Sequence, residues 1–143
     1  MRRTFIFFGW ILLGIQFIRP DFTNPESIPE NDFIAIENPP AEIAEIFKNA
    51  CYDCHSNHTV YPWYKHIAPS SLLISWHVKE ARKHLNFSEW NEVDREHTID
   101  EMIYEINDGG MPMFPYALAH PKAKLTEEQR SQLEDYLSEI IYQ

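Results

Sequence analysis

Two cysteines, four glycines and twelve basic residues are all that this 143-residue chain contains of those types. Two thiols set close together exclude a disulfide-dense mini-fold. So few glycines beside ten prolines argue against a hairpin-rich β-protein and for helices punctuated by prolines. The twelve basic residues face 22 acidic ones, a net charge of −10. That balance argues against nucleic acid as a partner, since a phosphate backbone wants a basic face. There is also no apolar run of the ~20 residues that cross a bilayer core. The longest run, Thr4–Ile18, is interrupted by Gln16 and two glycines and is followed by neither a small-residue cleavage pair nor a lipid-accepting cysteine.

What is abundant is aromatic. Nine Phe, seven Tyr and four Trp make up 14% of the chain, which suits a core that wraps something flat and apolar. Arg2 and Arg3 precede the apolar run, and a basic start before an apolar segment is an export signal. Residues 1–19 are therefore expected to be an uncleaved signal anchor, with the arginines on the cytoplasmic side and the rest of the chain in the periplasm. Residues 20–38 are expected to be a linker, broken by Pro20, Pro25 and Pro29 and wetted by acidic side chains. Phe33, Ile34 and Ile36 are expected to dock as an extended strap.

Residues 39–143 form the folded domain and read as all-α. Ile43, Ile46, Phe47 and Ala50 fall on one helical face that continues through Cys51 and Cys54, with Asn38 as the N-cap. A second helix is expected over 70–85, packed through Leu72, Leu73, Trp76 and Ala81. A third starts at the capping box of Thr98 and Glu101, carries Ile99, Met102, Ile103 and Ile106, and stops at Gly109-Gly110. A fourth starts at the box of Thr126 and Gln129 and runs to the C-terminus on Leu133, Tyr136, Leu137, Ile140 and Ile141. Between the last two lies a long proline-rich loop, 109–125. Residues 86–90 fit a turn into a short helix capped by Ser88.

The chemistry sits at Cys51-Tyr52-Asp53-Cys54-His55, a C-x-x-C-H segment. Two thiols one helical turn apart can form thioethers to the two vinyl groups on one edge of a porphyrin, and the following histidine then supplies an axial nitrogen to the iron. This attachment takes place outside the cytoplasm, in agreement with the export signal. Competing readings are a redox-active dithiol, a simple disulfide, and zinc held by Cys51, Cys54, His55 and His58. The first is usual in a βαβ setting, and no segment alternates with the period of a strand.

The best candidate for a sixth ligand is Gly109-Gly110-Met111-Pro112-Met113-Phe114-Pro115-Tyr116. A thioether is soft, and Met opposite His raises the reduction potential. Met111 is preferred because it follows two glycines and precedes a proline; Met113 is the alternative. Ligation by a second histidine would fall to His77 or His120, while His58, His66, His84 and His97 read as surface or capping residues. His120 could instead pin the methionine loop by a hydrogen bond. Tyr61, Trp63 and Tyr64 are expected to pack beside the porphyrin, with Trp63 or Tyr64 reaching a propionate.

Taken together, Phe17-Ile18-Arg19-Pro20, the C-x-x-C-H block with Ser56-Asn57, Tyr61-Pro62-Trp63-Tyr64, Ile67-Ala68-Pro69, residues 85–90, Met111-Pro112, Tyr116, His120-Pro121 and Leu125 resemble the small haem-binding domain family of c-type cytochromes. The resemblance covers nearly the whole chain. It implies a cytochrome c-like helical domain, tethered to the inner membrane and facing the periplasm, with one covalent haem c on Cys51 and Cys54. It implies His55 as proximal ligand and Met111 as the sixth. Many relatives have Met-Pro-Pro where this chain has Met-Pro-Met, which keeps Met113 in play.

A haem with two protein ligands leaves no iron position for substrate, so the expected role is electron transfer rather than enzymatic catalysis. The acidic surface favours a redox partner with a basic docking face. The alternative is a peroxidase-like haem enzyme or gas sensor with a displaceable sixth ligand. A third reading is a binding module in which haem is structural and the domain anchors a membrane complex.

Overall fold

The computed structural model describes residues 2–141, and every regular element among them is helical. Helix α1 spans Arg2–Ile15, and hydrogen bonds from the amides of Gln16, Phe17 and Ile18 to the carbonyls three residues back carry the turn on to Ile18. Fourteen residues rise ~21 Å, short of the ~30 Å hydrocarbon core. Among the described residues no helix is long and apolar enough to cross a membrane. The expected anchor segment is thus helical, and shorter than the bilayer core.

The proline-rich stretch that follows is not extended throughout. A 3₁₀ turn at Pro29–Asn31 leads into α2, Phe33–Glu37, whose first free amide, that of Ile34, donates to the Asp32 carboxylate at 2.9 Å. The expected strap is therefore a helix, and Phe33 at its head is fully buried. Asn38 does not cap the next helix; it ends α2 in a left-handed conformation at φ 45°. Pro40 opens α3, Ala41–Ala50, which buries Ile43, Ile46, Phe47 and Ala50 as their spacing predicts. The face does not run on unbroken. Cys51 leaves helical geometry at φ −121°, and a single turn, α4, Tyr52–His55, sets off in a new direction.

Helix α5, Ser70–His84, lies where expected but turns a different face inward. Ser71, Ser75 and Val78 are buried, whereas Leu73 and Trp76 are more than half exposed. The two serines, at i and i+4, are short enough for close packing of α5 on its neighbour α4. The 3₁₀ segment Phe87–Glu92 is capped by Asn86, not Ser88: the Asn86 side chain accepts from the Ser88 amide at 3.1 Å.

Helix α6, Arg95–Asp108, begins a turn before the expected box, with Asp94 as its cap, and stops at Gly109 in the left-handed region (φ 77°). The conspicuous loop holds structure of its own: α7, Phe114–Ala119, then a 3₁₀ turn, Pro121–Ala123. Helix α8, Glu127–Ile141, starts at the predicted box, with Thr126 and Gln129 exchanging amide-to-side-chain bonds at 3.0 and 3.1 Å. It lies on α6 and α3, and Arg130 donates to the Ile106 carbonyl near the end of α6.

One core joins these elements. Phe33 meets Phe47, Phe87 and Trp90 edge-on at 4.8–5.2 Å between ring centres, and Ile99, Leu133 and Leu137 complete the fully buried set. At its edge Glu37 accepts two bonds from Arg95 (2.7 and 2.9 Å) and one from Trp90 Nε1 (2.7 Å). The Arg95 hydrogen bond holds the Glu37 carboxyl below its ordinary range.

Candidate haem site

Beside that core lies a cavity of about 770 Å³, within the range of cofactor sites and lined mainly by apolar surface. Its wall is built from the end of α3, from α4, α5 and α6, and from the segment after α6. Cys51, Cys54 and His55 all line it, as do Met111, Pro112 and Met113. The structure thus brings the C-x-x-C-H segment and the methionine segment, more than fifty residues apart, into one space.

Helix α4 follows the break at Cys51, and its Cys54 and His55 line this space. His55 is held by α5: the carbonyls of Ala81 and Leu85 each lie 3.1 Å from His55 Nδ1. Both lie where α5 closes: the Ala81 carbonyl also accepts from the Leu85 amide at 2.9 Å, and Leu85 ends the helix. A carbonyl can only accept, so Nδ1 carries the proton and Nε2 keeps its lone pair. Burial also pushes the pKa of His55 down, favouring the neutral imidazole. A neutral ring with Nδ1–H committed to backbone is the form that ligates a metal through Nε2.

The thiols are set differently from a redox dithiol. Burial raises the Cys51 pKa to about 12 and that of Cys54 to about 11, the latter helped by the Asp53 carboxylate. Reactive dithiols need depressed values, so this environment is unsuited to disulfide exchange. Among the described residues no cluster of three or more His, Cys, Asp or Glu is arranged to hold a metal ion, which leaves the zinc reading without support.

The chain leaving α4 is braced by buried polar residues. Ser56 donates to the Tyr52 carbonyl (2.7 Å), and the Asn57 amide donates to Ser88 Oγ (3.0 Å). Asn86 donates to the Asn57 side chain (3.1 Å), while Arg82 of α5 donates to the Ser56 carbonyl and to Thr59 (2.7 and 2.8 Å). Each such buried group is satisfied, as burial demands. Pattern reading missed Arg82, whose charge on a helix otherwise reads as solvated surface.

Asp53, the middle of the motif, reaches the methionine segment. Its carboxylate accepts from the Tyr116 hydroxyl at 2.6 Å, and Tyr116 stacks on His120, ring centres 4.4 Å apart. His120 Nε2 pairs with the Tyr64 hydroxyl at 2.7 Å. His120 is therefore engaged in this chain and does not line the cavity, in line with a pinning role and against a place on the iron. Tyr64 is engaged by it, Trp63 is exposed, and neither these two nor Tyr61 line the cavity. His77 does line the cavity, and so do His84 and His97, which the sequence reading set aside as surface residues. Glu80, Asp100, Glu101 and Glu105 give its rim an acidic character.

A family model described as a haem-binding domain matches residues 10–139. No curated protein and no solved structure matches the chain.

Proposed function

Since the chain belongs to the haem-binding domain family, the cavity is read as its haem site, and we propose that the protein is a monohaem c-type cytochrome. Cys51 and Cys54 hold one haem c through thioethers, His55 is the proximal ligand and Met111 the sixth, with Met113 as the alternative. The observation that carries this reading is the single cavity lined by both thiols, by a histidine whose Nδ1 is committed to two carbonyls, and by the methionine pair. When bound, the haem would supply one-electron exchange. The chain's own part is to keep His55 neutral and aligned, to fix the methionine segment through Asp53 and Tyr116, and to exclude water with Phe47, Phe87 and Ile106. The helical wrapping agrees with a cytochrome c-like domain.

The acidic rim suits a redox partner with a basic docking face, whose association would weaken as salt rises. We place the domain in the periplasm, attached to the inner membrane through α1, with Arg2 and Arg3 on the cytoplasmic side. An alternative is a peroxidase-like enzyme or gas sensor. What favours it is that α7 buries no residue fully and the adjoining methionines are only half-buried, so the segment could yield to a small ligand. An absorption spectrum of the oxidised holoprotein separates the two. A low-spin spectrum with a weak iron–methionine band at its red end supports electron transfer; a high-spin spectrum supports the alternative.

A further inference from the structure

The link between α1 and the domain is a built joint. Gln16, the polar interruption of the apolar run, gives both ends of its amide to one backbone residue. Its Nε2 donates to the Ala68 carbonyl at 2.9 Å, and its Oε1 accepts from the Ala68 amide at 3.0 Å. Three residues on, Arg19 donates to the His66 carbonyl at 3.1 Å. Phe22 then packs edge-on against Tyr61 (4.9 Å), with the Lys65 ammonium over both rings. Residues 16–22 thus run along residues 61–68, so the segment that follows α1 is docked on the domain while α1 itself stands exposed.

Around this joint the surface is largely apolar and carries two cations against one exposed acid, Asp21, on a chain that is otherwise acidic. Phe17, Ile18, Val60, Trp63 and Ile67 are exposed, Trp63 by 77% and Phe17 by 88%. Arg19 and Lys65 lie among them. Aromatic rings beside cationic side chains suit the zone where lipid headgroups meet acyl chains. Helix α1 is itself exposed and apolar, from Phe5 to Leu13. Being shorter than the hydrocarbon core, an immersed α1 brings its flanking residues into the interface and draws the domain toward the bilayer.

We propose that the Gln16–Ala68 joint seats the domain directly on an anionic lipid bilayer, with Trp63 and Ile67 in the headgroup zone. This rests on α1 being the membrane attachment, and it adds that the domain is held in one orientation and does not swing on a flexible tether. The test uses the full-length holoprotein on phosphatidylethanolamine–phosphatidylglycerol vesicles, with a nitroxide on Ile67→Cys or, separately, Val60→Cys, and a control label on Glu128→Cys of α8. Oxygen collisions relative to those of a water-soluble nickel reagent should be several-fold higher at 67 and 60 than at 128. Gln16→Ala should leave the protein on the vesicles but bring position 67 toward the control value. A vesicle-bound protein whose labels at 67 and 60 match the control overturns the seating and leaves α1 as an anchor. A protein that stays off the vesicles altogether overturns the anchor reading and the seating with it.

Discussion

The two sides of α6 face different interiors. On the core side Ile99 meets α8 and the aromatic cluster, and Phe33, Phe47, Phe87, Leu133 and Leu137 exclude water completely. On the cavity side Met102 and Ile106 share space with Tyr104, Glu105, Met111 and the two cysteines around about 770 Å³. One side is filled by protein, the other is shaped for a partner the chain does not itself supply. The two meet at Phe47, Phe87, Met102 and Ile106, which belong to the core and also line the cavity; Phe33 on one side and Cys54 and Met111 on the other belong to one alone, so substitutions there can be aimed at stability or at ligand capture.

The sharpest division is expected from Cys51→Ala with Cys54→Ala. It should abolish haem that survives denaturation, read by haem staining on a denaturing gel, while far-UV circular dichroism stays helical because the aromatic core is untouched. Phe33→Ala should act the other way. Removing a fully buried ring costs about 3–5 kcal/mol, seen as a lower midpoint in urea, with attachment chemistry unchanged in the protein that folds. Loss of the haem spectrum without loss of stability in Phe33→Ala would break the comparison.

Met111→Ala should convert the haem from low-spin to high-spin, lower its reduction potential and let carbon monoxide or cyanide bind. Met113→Ala should do much less, and the reverse result would exchange the two assignments. Tyr116→Phe removes the bond to Asp53 that fixes this segment. It should destabilise by about 1–2 kcal/mol, as for a half-buried bond to a carboxylate, and speed the binding of cyanide. The pinning role fails if that rate is unchanged.

The smallest effect is a pH dependence on the core side. Glu37 titrates below its ordinary value of 4.5 because Arg95 and Trp90 bind its charged form. A depressed carboxylate adds stability above the unfolded value and loses it as pH falls through the folded one. Urea midpoints should therefore drop below about pH 4.5 in the wild type and drop less in Glu37→Gln.

Much of this was visible in the sequence where the signal is local. The spacing of α3, the Thr126 box, the Gly109 stop and the C-x-x-C-H segment each depend on near neighbours. What escaped depends on distant ones. The inward face of α5 is chosen by how closely α4 must approach, so serines win over Leu73 and Trp76. Asn38 ends α2 because Phe33 is drawn into the core and the chain must turn out of a helix that composition alone does not reveal. The His55 tautomer is set by two carbonyls 26 and 30 residues away. The joining of His120 to Tyr64 and Tyr116 likewise has no local signature.

The central claim is that Cys51 and Cys54 carry one haem covalently. Mass spectrometry of the denatured chain, expressed with a haem-attachment system, tests it most directly. The account predicts an intact mass equal to the polypeptide plus one haem, and a proteolytic peptide spanning Cys51–His55 that carries the whole addition. An intact mass equal to the polypeptide alone, with both thiols free to alkylate, would contradict it.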